Sequence, residues 1–254
     1  MAVQSAFRSI AFFFLTVSAA LASGQTASER TVSARAVSPV SPAIVIGFVG
    51  GFVGHESNIH GGVQLADHLR AEYSSGLHVE VFENHRGEAA HQQVLRLLDA
   101  NHDGALSPDE KRDARIIIYG HSWGGSETVN LARELEKDGI PVLLTIQIDS
   151  VRKPGENDAL IPANVVEAAN FYQPGGLVHG RPLIRAADPA HTRIIGNFKF
   201  DYVEHPVSCA GYPWFARTFE KSHIEIECDP AVAGAVEALI RAKLPPLPVG
   251  PESR

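Results

Sequence analysis

The stretch "RIIIYGHSWGG", Arg115 to Gly125, spaces Gly120, Ser122 and Gly124 as G-x-S-x-G. Three fixed positions say little alone; their surroundings say more. A short, fully apolar segment runs straight into the serine and a helical segment, "SETVNLARELEKDG", leaves it at once. A strand turning directly into a helix forces strained dihedrals on the residue at the turn. Only small neighbours tolerate the close backbone approach that results. The hydroxyl of Ser122 would stand clear at the sheet edge beside the positive end of the helix dipole, as nucleophilic attack requires.

A second chemical motif lies just upstream. "DANHDGALSPDE", Asp99 to Glu110, matches the EF-hand pattern D-x-[DN]-x-[DN]-G-x5-E at every fixed position. Asp99, Asn101 and Asp103 offer side-chain oxygens, Gly104 makes the sharp turn and Ala105 offers its carbonyl. Ser107 would coordinate directly or through water, and Glu110 would close the site with both oxygens around Ca2+. The loop is single, Pro108 interrupts it, and the helix after it has room for about one turn before Arg115. Weak, extracellular-type affinity is expected. The loop precedes the strand that ends at Ser122, and about six strand residues at ~3.3 Å each put roughly 20 Å between metal and hydroxyl. Calcium there could brace the chain but not polarise a reacting carbonyl.

The elements that must position these residues alternate. Apolar strand-like runs begin at Ala43, Leu77, Arg115, Ile140 and Thr192. Between them, Leu65, Leu69 and Tyr73, then Val94, Leu97 and Leu98, fall at helical spacing. Gly139 would end the helix after Ser122, and Asp229 and Pro230 suit the N-cap and first position of a closing helix. Strands apolar on both faces predict an α/β domain over 43–244, with a mostly parallel sheet and helices on each side. The span 150–190 breaks the alternation and holds one helix-like segment, "NVVEAANFY", among Pro and Gly. It is expected to be a lid-like insertion over the carboxyl ends of the strands, carrying the pocket residues.

With the serine turn, this order of elements and a late histidine, the sequence resembles the α/β-hydrolase superfamily over about 43–244. The resemblance implies a serine nucleophile, a histidine base, a carboxylate and a backbone oxyanion hole, with the acid between serine and histidine in the chain. Ser122 is then the nucleophile and His223, ahead of the final helix, the base, with His205 its rival. Asp149, ending the strand after the serine helix, is the acid; Asp201, one strand later, is the alternative. The backbone N–H groups of Trp123 and of Gly51 or Phe52 would form the oxyanion hole. The expected reaction is hydrolysis of a small-molecule or lipid ester through an acyl-enzyme. Thioester hydrolysis or acyl transfer would use the same triad, and a calcium-binding protein on a non-catalytic hydrolase scaffold is the reading from another class.

Residues 1–22 hold Arg8, an apolar run from Ile10 to Ala20 and small residues at Ala20 and Ala22, the order of a cleaved secretory signal peptide. The run is shorter than the ~20 residues of a membrane anchor. A secreted or periplasmic location follows, where Cys209 and Cys228 could pair as a disulfide worth ~3 kcal/mol. Residues 23–42 read as a linker and 245–254 as a disordered tail. The net charge of −7 without a basic stripe speaks against nucleic acid as a partner, and no organic cofactor is expected.

Overall fold

The computed structural model describes residues 42–246; the expected leader and most of the expected linker and tail lie outside them. Strand β1 (Ala43–Val49) is followed by α1 (Gly61–Glu72), β2 (Leu77–Glu83) and α2 (Gly87–Leu98). A one-turn α3 (Pro108–Arg112) leads into β3 (Arg115–His121), α4 (Trp123–Lys137) and β4 (Val142–Ile148). Then come β5 (Leu160–Ile161), β6 (Val165–Tyr172), β7 (Arg185–Ala186) and β8 (Arg193–Lys199). The chain closes with α5 (Trp214–Phe219), α6 (Lys221–Cys228) and α7 (Pro230–Arg241).

The main sheet is six-stranded, in the order β2-β1-β3-β4-β6-β8, and every pairing is parallel. Successive side chains of one strand feed opposite faces. Ile44, Ile46 and Phe48 of β1 join Val94, Leu98, Val129 and Leu135 of α2 and α4. Val45 joins Leu65 and Leu69 of α1 and Val232, Val236 and Ile240 of α7 on the other face. This is the predicted doubly covered parallel sheet. Asp229 caps α7 as expected, accepting from the Ala231 N–H at 2.8 Å. Gly139, at φ +71°, follows the end of α4. Among the described residues no helix is long and apolar enough to cross a membrane.

The span 150–190 departs from expectation. "NVVEAANFY" is not a helix but β6, an interior strand paired to β4 on one side and β8 on the other. Val165, Ala168, Ala169 and Phe171 are buried with both faces covered. A strand covered on both faces carries no period-2 signal, and its Ala and Glu residues imitate a helical pattern. The middle of this span is accordingly part of the sheet.

Candidate active site

Ser122 stands between β3 and α4 with φ 57° and ψ −126°, a conformation that costs a non-glycine residue free energy and persists only where surroundings enforce it. The neighbours show what enforces it. A Cβ on Gly120 would run into the Gly124 carbonyl, and one on Gly124 into the Phe48 carbonyl. One on Gly50 would lie 2.6 Å from the Ser122 Cβ. The backbone is locked on both sides, through Ser122 N–H to the Ile148 carbonyl at 3.0 Å and Val151 N–H to the Ser122 carbonyl at 3.1 Å.

Asp149 follows β4 immediately and is fully buried, at φ 43°. Parallel pairing of β3 with β4 sets His121 opposite Ile148, so Ser122 and Asp149 leave the sheet at the same edge. Four donors saturate the carboxylate. Oδ1 accepts the N–H groups of Gln173 (3.1 Å) and Gly180 (2.7 Å). Oδ2 accepts Gln173 Nε2 (2.8 Å) and His223 Nδ1 (2.6 Å). A carboxylate so held fixes the tautomer of His223: Nδ1 bears the proton, and Nε2 is left with its lone pair. His223 is buried and lies on the short helix α6, ahead of the final helix.

The alternatives fall elsewhere. Asp201 turns its carboxylate to the Val203 N–H and Lys199, and His205 is exposed. Neither lines the cavity that Ser122 and His223 share.

That cavity has a volume of about 680 Å³. Gly51, Phe52 and Trp123 stand at it, with Gly51 at φ +50° and Trp123 at the first position of α4, where backbone N–H groups lack intrahelical partners. Asn84 fixes the Gly51 side by donating from Nδ2 to the Gly51 carbonyl at 2.6 Å. The Phe52 and Trp123 rings meet edge to face, 5.9 Å apart, and Phe52 is fully exposed. The remaining walls come mainly from 53–60 and from 212–224, including Ile59, Tyr212 and Phe215. The span 150–190 gives only Val151 and Val178. Its larger contribution is Gln173 and Gly180, which hold the Asp149 carboxylate. No sequence signal marks them, because their bonds cross to another strand end.

A further buried group lies beside His223 and His121. Glu227 accepts from His60 Nδ1, 3.1 Å from either oxygen, and approaches His121 Nδ1 at 3.4 Å. Burial by itself would raise the Glu227 carboxyl, but the His121 and His60 imidazoles hold it down at about 2. Burial pushes His121 down to about 4. His121 lies within the serine turn, yet nothing in the sequence pairs it with Glu227.

Cys209 and Cys228 form a disulfide with Cα atoms 6.0 Å apart, tying the chain before α5 to the end of α6. The calcium-type loop lies where expected, ahead of β3 and at the opposite end from Ser122. Its glycine, Gly104, has φ +82°. Asp99 accepts the Gly104 N–H at 2.9 Å, Asp103 the Ala105 N–H at 2.9 Å, and Glu110 the N–H groups of Ala100 and Ser107 at 3.0 and 2.8 Å. Ser107 and Glu110 make a capping box on α3, and the bonds from Ser107 lower the Glu110 carboxyl. With the carboxylates turned to loop amides, no three Asp, Glu, His or Cys side chains among the described residues converge as a cation cage.

No family model matches the chain, and no curated protein does. Among solved structures, human thioesterase 2 is 8% identical over 79% of this chain and 96% of its own, with a TM-score of 0.42. A thioesterase of the prodiginine pathway from Streptomyces coelicolor is 12% identical over 85% and 97%, with a TM-score of 0.40. An acetylxylan esterase is 12% identical over 80% and 99%, with a TM-score of 0.38.

Proposed function

We propose that this chain is an exported serine hydrolase acting on neutral, largely apolar carboxylic esters. One observation carries the reading: His223 Nδ1 is bonded at 2.6 Å to the buried Asp149, while Ser122, in a strained strand-to-helix turn, lines the same cavity as His223. In the reaction, His223 Nε2 takes the Ser122 proton as the oxygen attacks the ester carbonyl. The N–H of Trp123 and one from Gly51 or Phe52 stabilise the oxyanion, and the imidazolium returns its proton to the departing alcohol. Water, deprotonated by the same imidazole, then releases the acid. Asp149 keeps the imidazole in the productive tautomer and offsets its transient charge.

The cavity supports the substrate class. Its lining includes Glu220 and Glu227 but neither Lys nor Arg, and the chain carries a net charge of −7. Polyanionic thioesters such as acyl-coenzyme A would meet repulsion there. Export is supported by the leader-like segment at 1–22 and by the disulfide. Labelling by a fluorophosphonate probe, lost in Ser122→Ala, tests the nucleophile. p-Nitrophenyl esters of increasing chain length, measured beside one acyl group carried on coenzyme A, test the class. An unlabelled wild-type protein would refute the hydrolase reading.

The oxygen-only donor set of Asp99, Asn101, Asp103, Ala105, Ser107 and Glu110, around the left-handed Gly104, fits a hard divalent cation. We read the loop as a structural calcium site: Asp99, Asp103 and Glu110 would exchange their amide partners for the ion, which clamps the connection into β3. Calcium at 100 times its Kd would add about 2.7 kcal/mol, or roughly 5–10 °C in Tm. Turnover below the melting range should not change. Loss of turnover on chelation with the fold intact would contradict a structural role.

A further inference from the structure

We infer that His121 is a positioning residue for the base, holding the helix that carries His223 at a fixed distance from the nucleophile; this rests on the hydrolase reading above. His121 ends β3 and directly precedes Ser122. Its buried ring lies against α6, where Nε2 is 3.1 Å from the backbone carbonyl of His223. A carbonyl only accepts, so Nε2 bears the proton, and that nitrogen is committed to the backbone rather than free for the reaction. The two imidazoles stack with centroids 4.5 Å apart and planes inclined by 31°. A single hydrogen bond thus ties the residue beside the nucleophile to the residue that carries the base, without using a reacting atom.

The helix has reason to need this tie. It spans eight residues, and no side chain caps its start. A helix this short does not hold its position by itself. The disulfide fixes its far end, at Cys228. His223 and Glu227 are one turn apart on it and face β3 together, with Glu227 anchored to His60 just ahead of α1. His121 sits between these two side chains of α6 and touches both. Proton transfer from Ser122 requires the base within a few tenths of an ångström of its place, and a displacement near 1 Å costs on the order of 100-fold in rate.

The test compares His121→Phe, which keeps a flat ring but has no donor, with His121→Gln, whose amide can donate to the same carbonyl. Measured quantities are kcat and KM on p-nitrophenyl butyrate, the fluorophosphonate labelling rate and Tm. His121→Phe should lower kcat and the labelling rate roughly 10- to 100-fold with KM within about twofold, and His121→Gln should recover most of that loss. Equal kcat in the two variants, an undiminished kcat in His121→Phe, or a rise in KM alone overturns the inference. Absence of labelling in the wild type overturns the hydrolase reading and this inference with it. If His121→Phe does not fold, the comparison moves to Glu227→Met against Glu227→Gln, where the amide keeps a polar partner for His60 and His121. A selective kcat loss in Glu227→Met then supports the tie, and equal rates refute it.

Discussion

The imidazole of His223 donates from Nδ1 to Oδ2 of Asp149 at 2.6 Å, across 74 residues of sequence. Both side chains are buried, and the carboxylate has no other imidazole among its partners. Replacing Asp149 by Asn presents an amide N–H to Nδ1 and favours the tautomer that protonates Nε2, the nitrogen proposed to accept the serine proton. Asp149→Asn should reduce kcat by about 10,000-fold with little change in KM. Steady-state kinetics with active-site titration measures this, and a loss under tenfold would remove Asp149 from the triad.

Gly180 should be as sensitive as a residue that touches substrate, although it lines no part of the cavity. A Cβ there would collide with the Asp149 carboxylate and lie 2.5 Å from its backbone. Gly180→Ala must displace the Asp149 carboxylate or the Gly180 segment, breaking the N–H bond to Oδ1. A kcat loss of about 10- to 100-fold is expected, with a folded circular-dichroism spectrum. Wild-type kcat would show that the acid tolerates a shift that its four donors argue against.

The buried Glu227–His121 pair sets the acid limit of stability. Burial lowers His121 from its ordinary 6.5 to about 4, so its contribution is full above 6.5 and is lost as the pH falls through 4. Glu227 is depressed from 4.5 to about 2, so its contribution is full above 4.5 and is lost as the pH falls toward 2. In both cases the unfolded chain takes up the proton first. Tm should therefore decline steadily from pH 7 to pH 3, and Glu227→Gln should flatten the part below 4.5. A Tm independent of pH across that range would exclude this account.

The disulfide closes a separation of 19 residues, worth ~3 kcal/mol on loop entropy. Removing it by Cys209→Ser with Cys228→Ser should lower Tm by roughly 6–12 °C. Because the bond fixes the end of α6, kcat should fall as well, more than KM rises. Unchanged melting and activity in the double variant would show that the bridge braces nothing.

Much of this site was legible in the sequence, for reasons that can be named. The run "RIIIYGHSWGG" has glycines where the backbone comes too close for a Cβ, so the serine turn follows from local sterics. Asp149 was legible because it ends the next parallel strand, and adjacent parallel strands end on one edge. That His223 rather than His205 meets Asp149, and that Asp201 turns away from this cavity, only the folded chain shows.

Neighbours in the chain set the alternation of buried strands and helices, the turn at Ser122 and the oxygen-rich loop at 99–110. Tertiary structure alone decided that 165–172 is a strand, since burial on both faces erases the pattern that would announce it. It also decided that Gln173 and Gly180 bond the Asp149 carboxylate, that 53–60 and 212–224 wall the cavity, and that His121 reaches α6. Those contacts join segments far apart in the chain, where composition and spacing carry no record of who will meet whom.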